Sequence, residues 1–160
     1  MRRLSIALCM LVLLVSCRGA SAGDPPLSEL QAWVGKEPFQ KIGDYTFWTH
    51  PIFVAKAYNL LGPESFALVT TVYAEGVSTP VDRHDDILST FVCKPHECLS
   101  DSAAVLIDIK KDKLYVCLHD SYRPEDMWYE SGKEPKGIGE SGCAARDPYE
   151  FYDKYIKDGK

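Results

Sequence analysis

Hydrophobic and polar residues follow two different periods along the chain. Before residue 75 the apolar positions recur mostly at helical spacing, whereas from residue 77 onward they form short β-rich runs separated by turn residues. In one of these runs Val105 and Ile107 alternate with Ala104 and Leu106, which predicts a strand with one buried face. The runs together predict an antiparallel sheet of about four to five strands. Its predicted segments are 77–81, 87–92, 103–109 and 114–119.

Helices are predicted in the first half of the chain. Ser28 is a candidate N-cap for a short helix that ends at Gly35. Pro51 lies where the first turn of a second helix begins, and that helix is expected to stop at Gly62. Segment 66–74 carries signals for both strand and helix, and we predict a helix because a proline and an acidic residue precede it.

The remaining segments complete the predicted fold. Residues 43–48 are aromatic and predict an edge strand, residues 121–146 predict mostly loop, and an N-cap with a first-turn proline predicts a helix over 147–157. The fold class is therefore α+β, a single domain with helices packed on one face of the sheet. The tryptophans are expected in the core, at Trp33, Trp48 and Trp128.

The first 22 residues have the composition of a secretory signal peptide. Two arginines precede an apolar run, residues 4–15, that is too short to span a bilayer with margin. The small residues 20–22 fit a cleavage site, which predicts an exported domain of residues 23–160. The alternative is a leader of residues 1–16 followed by a lipid anchor on Cys17.

Removal of this leader changes the charge and the cysteine count. The remaining chain carries 15 basic and 23 acidic residues, a net charge of −8. Such a domain is expected to avoid nucleic acid and to attract cationic partners, although solubility alone also accounts for the charge. An even number of cysteines in an oxidising compartment predicts disulfides, with three connectivities open. The four are Cys93, Cys98, Cys117 and Cys143.

The most informative stretch is Cys93-Lys94-Pro95-His96-Glu97-Cys98. A zinc site would need about four nitrogen or sulfur ligands, and the other histidines are scattered along the chain. A redox centre usually has two residues between its cysteines, and here there are four. A plain disulfide staple over so short a loop would contribute only about 2 kcal/mol. The remaining interpretation is a stiff loop that presents His96 to a partner and loses little entropy on binding.

This stretch resembles the cysteine-bracketed CKPHDC-type loop of the Ivy family, the periplasmic bacterial inhibitors of vertebrate c-type lysozyme. A Gly-x-x-Thr-Pro turn at residues 76–80 precedes it, and the likeness spans roughly residues 50–120. The resemblance implies a Cys93–Cys98 bridge, which leaves Cys117 and Cys143 for a second bridge. It also implies an inhibitor rather than an enzyme, with no metal and no cofactor, and it leaves a homodimer open.

In that family the histidine of the loop lies between the two catalytic carboxylates of lysozyme, and the residue at that position here is His96. Imidazole can donate a hydrogen bond to either carboxyl, and its cation suits an anionic cleft. The resemblance makes Pro95 a stiffener and makes Lys94 and Glu97 rim contacts.

Other interpretations stay open. The same loop would suit a module that controls the cell's own lytic transglycosylases, and a small envelope enzyme or metal carrier is a further class. His96 would be a surface histidine without a role if the loop served only as a staple. The acidic segment 82–86 is expected to be a solvated turn rather than a cation site. No nucleophile elbow or phosphate-binding loop is visible in the sequence.

Overall fold

The computed structural model describes residues 25–139 and Cys143. The predicted signal peptide and the predicted helix 147–157 lie outside this part of the chain. Within it, helical segments are followed by a seven-stranded antiparallel sheet in the order β1-β3-β4-β5-β6-β7, and β2 also pairs with β3. The predicted α+β class is confirmed, but the sheet is larger than the four to five strands expected. The strands are β1 Val77–Ser78, β2 Asp82–His84, β3 Ile87–Cys93, β4 Asp101–Asp108, β5 Lys113–Asp120, β6 Met127–Glu130 and β7 Lys136–Gly137.

The main helix begins and is interrupted where the sequence predicts. His50 is its N-cap residue, without a side-chain capping hydrogen bond, and Pro51 occupies its first turn, where the missing N–H costs nothing. Gly62 has a φ of 71° and interrupts the helix where a stop was expected, but helical backbone resumes immediately after it. None of the described helices is long and apolar enough to cross a membrane. The helical segments are a 3₁₀ helix Leu27–Trp33, α1 Pro51–Ala67 and a π-helical segment Leu68–Tyr73.

Two local predictions in this half are wrong. Pro26, not Ser28, precedes the first helix, and no side chain caps it. Residues 43–48 form turns rather than an edge strand. The neighbouring residues Phe47 and Trp48 are both buried in the core, whereas a strand would send successive side chains to opposite faces.

The central strand β4 is covered on both faces. All eight of its residues are buried, whereas the sequence predicted a half-buried strand. Val105 and Ile107 belong to the main core cluster, which also contains Phe53 of α1. Ala104 and Leu106 belong to a second cluster, which contains Cys117 and Cys143. The predicted alternation is therefore correct, but the prediction that one face is solvated is wrong.

Segment 121–146, predicted as mostly loop, contributes two strands. β6 pairs with β5, and β7 pairs with β6. Trp128 of β6 packs its ring against Tyr115, with ring centroids 5.9 Å apart. Only four residues form β6, too short a run to stand out beside the charged residues that flank it. The predicted burial of all three tryptophans is confirmed.

Strand register brings several chain segments to one end of the sheet. Cys93 at the end of β3 pairs with Val77 and with Ser102, and Asp101 pairs with Asp120. The tight turn between β4 and β5 lies at the opposite end, near Asp108 and Lys113, as predicted. We call the end that carries Cys93, Asp101 and Asp120 the loop end of the sheet.

Candidate functional site

The CKPHEC segment forms a closed loop between β3 and β4. The Cys93–Cys98 disulfide closes it, and the two Cα atoms lie 4.8 Å apart. The Lys94 amide donates to the Asp101 carbonyl at 2.9 Å, and the Glu97 amide donates to the Lys94 carbonyl at 3.0 Å. The structure therefore shows a covalently closed turn at the loop end.

His96 lies at the exposed tip of this loop. Its backbone φ is 66°, in the left-handed region that residues other than glycine rarely adopt. Pro95, His96 and Glu97 are all exposed, while Cys93 is buried at the root. The loop therefore has a buried root and an exposed tip, and the tip carries His96.

Lys94 and Glu97, predicted as rim contacts, are paired with each other. The Lys94 ammonium lies 2.8 Å from the Glu97 carboxylate. The hydrogen bond to Glu97 raises the pKa of Lys94. The opposite charges of Lys94 and Glu97 face each other, and His96 is the remaining polar side chain at the loop tip.

A second histidine holds the outgoing arm of the loop. His119 Nε2 donates to the Leu99 carbonyl at 3.1 Å, and His119 Nδ1 lies 2.5 Å from a carboxylate oxygen of Asp126. In the sequence, His119 is only one of several histidines scattered along the chain. Its position near the loop depends on strand register, because His119 pairs with Ser102, three residues after Leu99.

A buried carboxylate fixes the start of β4. Asp101 accepts hydrogen bonds from the Ser121 hydroxyl at 3.2 Å and from the Ser121 amide at 3.4 Å. Burial raises the pKa of Asp101, but hydrogen bonds from Ser100 and Ser121 outweigh burial and hold that pKa below its ordinary value. Nearby, burial raises the pKa of Tyr73, whose hydroxyl donates to the His119 carbonyl at 3.3 Å. Buried polar groups thus anchor the backbone of β4 and β5 at the loop end.

Exposed apolar side chains flank the loop. Leu99 is 79% exposed and Tyr122 is 89% exposed, the highest values among the large hydrophobic residues that the structure describes. Leu99 directly follows Cys98, and Tyr122 follows the end of β5 at the same end of the sheet. Val77, which pairs with Cys93, is 57% exposed. Exposed apolar residues around a polar tip are typical of a protein-binding surface.

The four cysteines that the structure describes form two disulfides, so none of them is a thiol ligand. The second bridge joins Cys117 of β5 to Cys143. Among the described residues there is no group of three histidine, cysteine or acidic side chains that could hold a metal ion.

A cleft in the described part of the molecule lies away from the loop. Its volume is about 670 Å³, and it is lined by α1 and the segment after β6, from Ser131 to Glu134. Ser131 hydrogen-bonds to Leu114, near the end of the sheet opposite the loop. Two lysines line the cleft, and each is paired with a carboxylate: Lys56 with Asp112 at 2.6 Å and Lys133 with Glu130 at 2.9 Å. The cleft and the CKPHEC loop therefore lie at opposite ends of the sheet.

Comparison with known protein families shows the family to which this chain belongs. A family model described as inhibitor of vertebrate lysozyme (Ivy) matches residues 53–138, more than half of the chain. The chain belongs to the Ivy family. The match includes all seven strands and the CKPHEC loop, so the family resemblance predicted from that loop is confirmed. No curated protein and no solved structure matches the chain.

Membership of the Ivy family implies a lysozyme inhibitor, a protein that acts by binding. The matched segment ends at residue 138, so Cys143 lies beyond it. The second disulfide therefore ties the Ivy scaffold to a segment outside the family match.

Proposed function

We propose that this Ivy-family protein inhibits c-type lysozyme by inserting the CKPHEC loop into the catalytic cleft, with His96 between the two catalytic carboxylates. The observation that carries the proposal is the position of His96, exposed at the tip of a loop that a disulfide closes. The protein catalyses no reaction in this proposal, because occupying the cleft excludes the substrate.

The chemistry of the target supports this assignment. Such a glycosidase uses one carboxyl group of raised pKa as an acid and one ionised carboxylate. An imidazole between them can donate a hydrogen bond to the ionised group, and once protonated it also supplies a positive charge. The cancelled Lys94–Glu97 pair leaves the tip free of a net opposing charge.

Rigidity of the loop supports tight binding. The disulfide, two backbone hydrogen bonds and the Lys94–Glu97 pair all lie within or across the loop. A loop that is already ordered loses little conformational entropy when it binds. The loop therefore needs few contacts beyond the tip to achieve high affinity.

The surface around the loop supplies further contacts in this proposal. Leu99 and Tyr122 are exposed beside it and would pack against the rim of the lysozyme cleft. The excess of acidic residues would steer the protein toward a basic lysozyme. The location is proposed to be the periplasm, either as a soluble domain after cleavage at residue 22 or as a lipoprotein anchored through Cys17.

The test is a titration of the oxidised protein, residues 23–160, into c-type lysozyme that is digesting bacterial cell wall. We expect stoichiometric inhibition, with an association rate that falls between low salt and about 0.15 M salt as the charges are screened. Uninhibited digestion at a large excess of protein would reject lysozyme as the target. The same titration with a lytic transglycosylase would then test the related cleft.

A further inference from the structure

The proposed function leaves His119, Asp126 and the second disulfide without a role. These groups form a continuous series of contacts that ends at the loop. The Cys143 amide donates to one carboxylate oxygen of Asp126 at 2.8 Å, and the other oxygen contacts His119 Nδ1. His119 Nε2 then donates to the carbonyl of Leu99, the residue that follows the loop disulfide.

We propose that His119 is the positioning residue of the inhibitory loop, and that the Asp126 carboxylate and the Cys117–Cys143 disulfide hold it in place. His119 would act through the Leu99 carbonyl and would not touch the partner. This inference rests on the proposed function, because the orientation of the loop affects inhibition only if the loop binds lysozyme.

The Asp126 end of the series is buried and held by backbone hydrogen bonds. Asp126 is 2% exposed, and its backbone donates to the Gly139 carbonyl at 3.2 Å and accepts from the Ile138 amide at 2.9 Å. Cys117 lies two residues before His119 on β5, so the two side chains point to the same face of the sheet. The disulfide and the imidazole therefore share the face that Cys143 covers.

The hydrogen-bonding pattern fixes the orientation of the ring. Both nitrogens of His119 face acceptors, a carboxylate and a carbonyl, and the side chain is only 21% exposed. The hydrogen bond to Leu99 requires a proton on Nε2, because a carbonyl oxygen can only accept. Asp126 orients the ring from the other side, as a carboxylate commonly orients a functional histidine.

This arrangement acts on Leu99, in the short outgoing arm between the loop disulfide and the start of β4. The incoming arm is held by β1 and by the ladder to β4. On the outgoing arm, the amides of Ser100 and Asp101 donate to the Glu97 carbonyl, and both bonds are internal to the same turn. Asp101 is the first residue of β4 and is held there by Ser121 and by pairing with Asp120. The contact from His119 to Leu99 joins this turn to β5.

The experiment uses two substitutions that each keep one donor. His119→Gln places an amide nitrogen near the position of the histidine Nε2, whereas His119→Asn places one near the position of Nδ1. His119→Gln can therefore still reach Leu99, and His119→Asn can reach only Asp126. His84→Asn, on an exposed strand position, is the matched control.

Two properties are measured in the oxidised protein, residues 23–160. Amide hydrogen exchange of Ser100 and Asp101 in the isolated protein reports the order of the loop arm. Inhibition of c-type lysozyme reports the consequence for binding. We expect His119→Asn to speed exchange about tenfold and to weaken inhibition about five- to tenfold, as loss of one hydrogen bond implies, with His119→Gln close to wild type.

Three results would overturn the proposal: both variants behave like His84→Asn, both are impaired equally, or Asn performs better than Gln. Equal impairment would show that His119 contributes only to general stability. If the wild-type protein does not inhibit lysozyme, the proposed function fails by itself. The exchange rates of the isolated protein still decide whether His119 positions the loop.

Discussion

Gly76 packs directly against the carbonyl oxygen of Cys93. A Cβ atom at position 76 would lie 2.0 Å from that oxygen and 2.9 Å from Cδ of Pro95. Because the obstacle is backbone at the root of the loop, it cannot move aside as the end of a flexible side chain would. The glycine before β1 therefore allows the loop root to lie where it does.

Replacement of Gly76 by alanine should displace the loop. We expect Gly76→Ala to lower the free energy of unfolding by about 1–3 kcal/mol, the usual cost of forcing an atom into a packed site, and to weaken lysozyme inhibition. Urea unfolding and inhibition titrations measure the two effects. Glu75→Ala, on the exposed neighbouring residue, is the control, and equal stability of the two variants would contradict the expectation.

Replacement of His96 should affect binding without affecting stability. His96 is exposed, so His96→Ala should change the free energy of unfolding by less than about 0.5 kcal/mol. Inhibition of lysozyme should fall about 100-fold or more, as expected for a central contact residue. His96→Asn suits the left-handed backbone but lacks the imidazole ring, so it should be nearly as weak an inhibitor. Unchanged inhibition by both variants would remove His96 from the contact.

Removal of the two disulfides should affect stability and inhibition in opposite order. Cys93–Cys98 closes a separation of 5 residues and Cys117–Cys143 closes one of 26. Chain entropy predicts that replacing each pair with serine costs about 2 and about 3.5 kcal/mol of unfolding free energy, respectively. Inhibition should be weakened more by loss of Cys93–Cys98 than by loss of Cys117–Cys143, because the shorter bridge closes the loop itself. Thermal unfolding and inhibition assays of the two double variants provide the comparison, and the same order in both assays would contradict it.

Asp101 should make the loop end sensitive to acid. Its pKa is lower in the folded protein than in the unfolded chain, where about 3.9 is ordinary. The ionised group therefore stabilises the fold above about pH 4, and this contribution disappears as the pH falls through the lower, folded value. Asp101→Asn should cost roughly 1 kcal/mol at pH 7 and progressively less as the pH falls below about 4. Urea unfolding of both proteins over this pH range measures the difference, and a constant difference would argue against this role.

Local sequence determined the parts of this protein whose signals lie within a few residues. Pro51 and Gly62 mark the start and the interruption of α1, because proline and glycine restrict or extend φ by themselves. The β-rich runs predicted the central strands because their signal also lies within a few consecutive residues. The CKPHEC loop was also recognisable locally, since its cysteines, proline and histidine are consecutive.

Tertiary structure decided the features that depend on residues far apart in the chain. Burial of both faces of β4 requires the second cluster around Cys143, and the turn over 43–48 depends on which core surrounds Phe47 and Trp48. The contact between His119 and Leu99 spans 20 residues and exists only because β4 and β5 pair in one register. The sequence by itself determined which residues can form the loop, and only the fold decided what holds that loop, because backbone preferences act locally whereas packing and strand pairing join distant segments.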